Sequence, residues 1–403
     1  MSRLLPLLPL ILLGADAPPD GDWTHAQTLE TSHYILHTDC PREDAEKVGA
    51  LLEAFREHYQ AILPFREDPK APKALVDLYD SKEDYDAREG RPVLGFFDPG
   101  KKRLCTWRMP WMDATLSVLT HEGTHHLNLL SLGEGTGFPP WFDEGLATYF
   151  ETARIDGKSI ALGDPSPLRF PDLQARAREG ASPGWLGLEA AVAIPLNLGF
   201  ENEHYGISWA FLHRLLHEEK DGKERLRRFR DAHLGPYFDP ETYGSTYRKE
   251  FEKYFGKPPA AFDEPLRKYV QGLKAAPEST HLGRIRQALA DLRKAPPEKT
   301  KEPRSGRKED RKAALDAVRE YRDTDPILHY YPARKLFRKA EPLCRKAGAE
   351  DLLQPLLSAQ RAADLLAQAG TWITPGDEWQ ELYDKLKAFL AEARKPLDAA
   401  AGK

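Results

Sequence analysis

The stretch Leu119-Thr-His-Glu-Gly-Thr-His-His-Leu127 decides how the rest of the chain is read. On a helix, residues four apart share a face, because about 3.6 residues complete a turn. His121 and His125 then aim two imidazoles at one point, and Glu122, one step round the cylinder, reaches a water molecule held there. A catalytic metal needs such groups. His126 lies about 100° round from His125 and stays outside such a shell.

The flanking residues supply the helix. Asp113 is placed to cap its start, and Gly133 to stop it. Leu116, Leu119, Gly123, Leu127 and Leu130 form an apolar stripe. Val118, His121, Glu122, His125 and Leu129 lie beside it, so one side packs while the histidines face a cleft. Glycine inside a helix costs about 1 kcal/mol against alanine. Gly123 is therefore either loosely tolerated or needed for the close approach of another element.

Upstream, 31–38 reads as a strand, and Val48, Leu51, Leu52, Phe55, Tyr59 and Ile62 mark the apolar face of a helix over 39–63. Residues 73–79 form a second strand, 81–88 a short helix, and 95–107 a strand, turn and strand reversing at Pro99-Gly100. Downstream, a Gly-rich loop (133–140) leads into a helix over 141–151, and 157–195 is turn-rich and should include loop structure near the cleft. Further helices are expected at 205–217, 223–233, 243–254 and 262–273. The fold class expected is α+β: an N-terminal lobe over 23–110, a helical lobe over 111–275, a charged Pro-containing linker over 276–310 and a helical region over 311–403.

With 403 residues the chain has room for two or three domains, and its net charge of −5 gives no case for nucleic acid as a partner. The basic excess over 284–312 reads as a hydrated flank of the linker. Residues 1–17 differ in kind: Arg3, an apolar run over Leu4–Leu13, then Gly14-Ala15-Asp16-Ala17. This pattern predicts a secretory signal peptide, hence a secreted or periplasmic protein; the alternative is an uncleaved membrane anchor. No later segment is apolar enough to span a bilayer. The three cysteines, Cys40, Cys105 and Cys344, lack C-x-x-C spacing and read as small buried hydrophobes, with a Cys40–Cys105 disulfide as the alternative.

A catalytic zinc takes three protein ligands and keeps one position open. Eighteen residues after His125 comes Glu144, within Trp141-Phe-Asp-Glu-Gly-Leu-Ala147. With His121-Glu122-Gly-Thr-His125, this segment resembles the gluzincin metallopeptidases, and its motifs resemble most the aminopeptidase-N-like branch. The chain as a whole looks like small exported bacterial members of that clan. The resemblance spans roughly 30–275 and is specific mainly at 119–151.

It implies a thermolysin-like zincin core, Zn²⁺ held by His121, His125 and Glu144, and Glu122 as the base that deprotonates the attacking water. It implies a peptide or protein substrate. Tyr205, in Tyr205-Gly-Ile-Ser-Trp-Ala210, resembles the family's oxyanion-binding tyrosine, although Ile207-Ser208 replaces the lysine–glycine pair that follows it there. His204 is the alternative donor. Glu151, at a commonly acidic family position, and Thr148 are placed to accept a ligand histidine's N–H, whereas Asp143 reads as a helix-start or surface carboxylate. The G-x-M-E-N element that grips a free amino terminus is absent, and Gly95-Phe-Phe-Asp-Pro-Gly100 stands upstream instead. That departure argues against an aminopeptidase. Two other readings stay open: an inactive zincin-fold binding or scaffold protein, and a zinc amidohydrolase acting on a non-peptide amide.

Overall fold

The structure is a computed structural model that describes residues 27–65, 71–110, 112–132, 137–156, 159–165, 169–179, 185–193, 200–232, 240–273, 281–294, 308–371 and 377–400. The signal-peptide segment and residues 133–136 of the Gly-rich loop lie outside the described residues. Two compact units divide the chain, Met1–Ala275 and Ala276–Lys403. The lobes expected over 23–110 and 111–275 both fall within the first.

That unit opens with strands β1 (Gln27–Glu30) and β2 (Tyr34–Thr38), then helix α1 (Arg42–Ile62), β3 (Ala74–Tyr79), α2 (Lys82–Glu89), β4 (Gly95–Asp98) and β5 (Arg103–Trp107). The five strands form one sheet in the order β1-β2-β3-β5-β4, with β2, β3 and β5 parallel and the two edge strands antiparallel. Tyr34, Leu36 and Thr38 alternate inward along β2, whereas the central β3 is buried along nearly its whole length. A parallel strand covered on both faces requires such a run. Ser81 caps α2 by accepting the Asp84 N–H, and Gly90, in the left-handed region at φ 61°, ends it.

Helix α1 sits between two cores. Val48 and Leu52 join Tyr34, Leu36, Val76, Leu78 and Leu104 over the sheet. Leu51, Phe55 and Tyr59 enter a larger core made with the helices that follow. These are α3 (Met112–Leu132), α4 (Pro140–Phe150), a small hairpin of β6 (Arg154–Asp156) and β7 (Ser159–Ala161), α5 (Phe170–Glu179), α6 (Leu188–Ala193), α7 (Asn202–His217), α8 (Gly222–Ala232), α9 (Pro240–Phe255) and α10 (Asp263–Gly272). Trp141, Phe211, Phe229, Phe251 and Phe255 pack ring against ring at the centre of that core, with centroids 4.6–5.9 Å apart.

The turn-rich stretch over 157–195 is not without regular structure, since β7, α5 and α6 occupy part of it. Phe170, Leu173 and Ala177 are the buried face of α5, a helical spacing obscured by the prolines and glycines on either side. Nor is 276–310 linker throughout: α11 (His281–Lys294) lies inside it, with Leu289 buried in the second unit's core. Arg286, Arg293 and Lys294 line its exposed face and dominated the composition.

The second unit continues with α12 (Lys308–Asp323), α13 (Tyr330–Ala347), α14 (Glu350–Thr371) and α15 (Asp377–Ala400). Val318, Ala340, Cys344, Leu356, Leu386 and Leu390 meet in its core. Cys40, Cys105 and Cys344 are buried and form no disulfide among the described residues. Helices predominate over one small mixed sheet, and the class is α+β. Among the described residues no helix is long and apolar enough to cross a membrane.

Candidate metal centre

Helix α3 presents His121 and His125 one turn apart, with ring centroids 5.2 Å from each other. Helix α4 packs across it and delivers Glu144, which is buried. One atom from each of these three residues falls within 4.8 Å of the others. Glu144 Oε2 is the meeting point, 3.3 Å from His121 Nε2 and 3.7 Å from His125 Nε2. It is shielded from solvent and accepts no hydrogen bond among the described residues. A buried carboxylate oxygen left without a hydrogen bond is costly in a protein interior. Two imidazole nitrogens and this oxygen form a donor set that suits Zn²⁺, so the residues present fit the ion.

The outer ring nitrogens are held from behind. His121 Nδ1 faces Glu151 Oε2 at 3.3 Å, and His125 Nδ1 faces Asp143 Oδ2 at 3.0 Å. Carboxylates accept the Nδ1 protons and thereby leave both Nε2 lone pairs for a metal. Asp143 does stand in the first turn of α4, as a helix-start carboxylate, and its side chain in addition faces His125, a role beyond that expectation. Its other oxygen accepts the Asn128 amide, and Asn128 Oδ1 accepts the Tyr59 hydroxyl, so a chain of hydrogen bonds runs from α1 to His125. Thr148, the alternative acceptor, has a buried hydroxyl with no hydrogen bond among the described residues.

Four carboxylates surround the two imidazoles, and the electrostatics follow. Burial opposes charge on His121, but contacts with Glu144 and Glu151 and the nearby Glu122 outweigh it and raise its pKa to about 9. For His125, Asp143 and Glu144 likewise overcome burial and raise it to about 10. Without a metal the site draws in protons, as expected of a pocket built for positive charge. Asp143 is held below the usual carboxylate range: burial opposes its charge, and His125 and Asn128 prevail.

Glu122 accepts the N–H of Phe97, on edge strand β4, at 3.0 Å. Burial pushes its carboxyl up while His121 and His125 pull the other way. Strand β4 can approach α3 so closely because of Gly95, where a Cβ would fall 2.5 Å from Val118 Cγ1 and 2.7 Å from the Cys105 carbonyl. Gly123 serves α1 similarly, since a Cβ there would meet Phe55 at 3.1 Å.

Tyr205 comes to the same place on α7, its ring centroid 6.4 Å from that of His121 and nearly buried. Burial and the charge of Glu144 raise its pKa well above the usual tyrosine value. His204 Nδ1 instead accepts the Glu201 N–H, while the Glu201 carboxylate accepts the His204 N–H, a reciprocal cap that starts α7 at Asn202. His126 turns from the cluster toward Tyr34 and Phe97, and burial lowers its pKa to about 3. Sequence reasoning missed Arg169, Asn128 and the Phe97 amide, none of which belongs to a local motif.

No family model matches the chain, and no curated protein matches it. Among solved structures it is similar to yeast LTA4 hydrolase in complex with bestatin, at 12% identity and a TM-score of 0.39, over 94% of this chain and 67% of that one. So distant a likeness adds no weight to the geometry of the site.

Proposed function

We propose that the first unit is a zinc-dependent metallopeptidase of the gluzincin type, built on a thermolysin-like core. The observation that carries this reading is the convergence of His121 Nε2, His125 Nε2 and the buried Glu144 Oε2, with the Nδ1 atoms of both histidines facing carboxylates.

His121, His125 and Glu144 would hold the zinc. When bound, zinc supplies Lewis acidity that activates water and polarises a carbonyl. The Glu122 carboxylate takes the proton of the attacking water and passes it to the leaving amine. The Phe97 N–H steadies that carboxylate. The Tyr205 hydroxyl donates to the oxyanion of the tetrahedral species. Strand β4 ends the sheet, so its outer edge offers main-chain groups to an extended peptide. The missing amino-terminus-gripping element makes an endopeptidase, or a peptidase of narrow specificity, the better match than an aminopeptidase. The signal-like residues 1–17 make it an exported one.

Metal analysis followed by peptide-library cleavage with wild type and Glu122→Gln tests the reading. About one zinc per chain and chelator-sensitive cleavage lost in the variant are expected. A protein that takes up no zinc, or a variant that cleaves like wild type, overturns it. Zinc uptake with no peptide cut turns the assignment to a binding protein or a non-peptide amidohydrolase.

A further inference from the structure

Immediately before α5, Arg169 reaches into the gap between the end of α4 and the start of α7. Three contacts hold its guanidinium. Nε donates to Glu151 Oε1 at 3.3 Å, a terminal nitrogen donates to Asn202 Oδ1 at 2.8 Å, and the guanidinium carbon lies 4.3 Å from the centroid of the Tyr205 ring. Glu151 is the residue whose other oxygen faces His121 Nδ1. Asn202 is the first residue of α7, and Tyr205 follows three residues later.

We propose that Arg169 is a positioning residue of this site, fixing at once the carboxylate that orients His121 and the ring that carries the Tyr205 hydroxyl. The assignment rests on the metal-site reading above.

The physical case is one of geometry and charge. Glu151 closes α4 as its C-cap, and a carboxylate at a helix end has rotamers to choose from. The cation on one oxygen leaves the other for His121. A planar guanidinium stacks on an aromatic face while donating in its own plane, which lysine's ammonium cannot do. The same group thus ties Tyr205 to Glu151 although they sit on different helices. Its charge also acts against the burial and the Glu144 field that make the Tyr205 phenol a weaker acid. The side chain of Arg169 is only 18% exposed, so its charge acts on Glu151 largely out of solvent.

The test uses the full chain loaded with Co²⁺, whose visible absorption reports ligand geometry. Wild type, Arg169→Gln, Glu151→Gln and the double variant are compared for spectrum and for cobalt affinity by chelator competition, with thermal melting of the metal-free proteins as a control. Outer groups that orient metal ligands contribute about 10–100-fold in affinity. Arg169→Gln is expected near the lower end, about tenfold weaker with a shifted spectrum, and to add less than about twofold on top of Glu151→Gln, because it acts through Glu151. Should Arg169→Gln not fold, Arg169→Lys, which keeps the charge but not the stack, serves the same comparison. Wild-type spectrum and affinity in the variant, or full additivity with Glu151→Gln, overturn the Arg169 assignment alone. Wild-type protein that binds no cobalt overturns the metal-site reading and this assignment with it.

Discussion

Gly145 on α4 lies directly against Ser208 on α7: a Cβ added at Gly145 would fall 3.0 Å from Ser208 Cβ, 3.2 Å from its backbone carbonyl carbon and 2.9 Å from Leu212 Cδ1. This close crossing brings Glu144, one residue before Gly145, alongside Tyr205, three before Ser208. Replacing Gly145 with alanine meets backbone as well as side chain, so the helices must separate. Overpacking of this kind costs about 1–3 kcal/mol. Urea unfolding of Gly145→Ala should show a loss of that size, with hydrolytic activity falling further than stability alone explains.

Glu122→Gln keeps the size of the side chain and removes the carboxylate proposed as base. Cleavage should fall by about 10²–10⁴-fold, while zinc content stays at the wild-type level. Equal loss of zinc and activity would instead make Glu122 a structural support of the site.

Tyr205→Phe removes a hydroxyl and keeps the ring under Arg169. Loss of one oxyanion donor costs about 10²–10³ in kcat, so kcat should drop with KM little changed. A wild-type kcat would leave Tyr205 as packing.

Asp143→Ala strips His125 of its Nδ1 partner and leaves the Asn128 amide without an acceptor. Zinc affinity should weaken about 10–100-fold by chelator competition. Tyr59→Phe, at the far end of the same hydrogen-bond chain, leaves Asn128 Oδ1 without its donor. A buried acceptor so left costs about 1–3 kcal/mol; thermal melting measures it.

Acid should destabilise the protein above the carboxylate range. His213 accepts the Tyr269 hydroxyl at Nδ1 and donates to the Gly163 carbonyl at Nε2, 2.6 Å each, and burial lowers its pKa from 6.5 to about 4. Burial takes His126 to about 3. Both bind a proton more readily unfolded than folded. Their stabilisation is therefore complete above pH 6.5 and is lost as pH falls through that value toward their folded pKa values. Each contributes a slope of at most about 1.4 kcal/mol per pH unit. In metal-free protein His121 and His125 act with the opposite sign, between pH 6.5 and their raised values of about 9 and 10, and leave the acid limb untouched. Urea titrations from pH 7 to 5 should follow this slope, and His213→Gln should remove about one proton from it.

Much of the site was legible because helix geometry is local. The four-residue spacing of His121 and His125 needs only 3.6 residues per turn to put both on one face, and Glu144 is reached by a short connection between adjacent helices. The strand-like stretches 31–38 and 73–79 and the apolar face of the helix between them identified the sheet lobe for the same reason. By contrast, α11 was hidden because its exposed face is basic, and α5 because turn residues flank it.

What the sequence by itself determined is a set of groups and the elements that bear them: two imidazoles, a carboxylate beside the first and a glutamate on the next helix. Only the tertiary structure decided which groups stand behind them. Asp143 faces His125 because α4 packs against α3, and Glu144 comes beside Tyr205 because Gly145 lets α4 approach α7 closely. Arg169 reaches Glu151 and Tyr205 from residues that are distant along the chain. Spacing specifies the face of a helix, whereas the partner across that face depends on how whole elements pack.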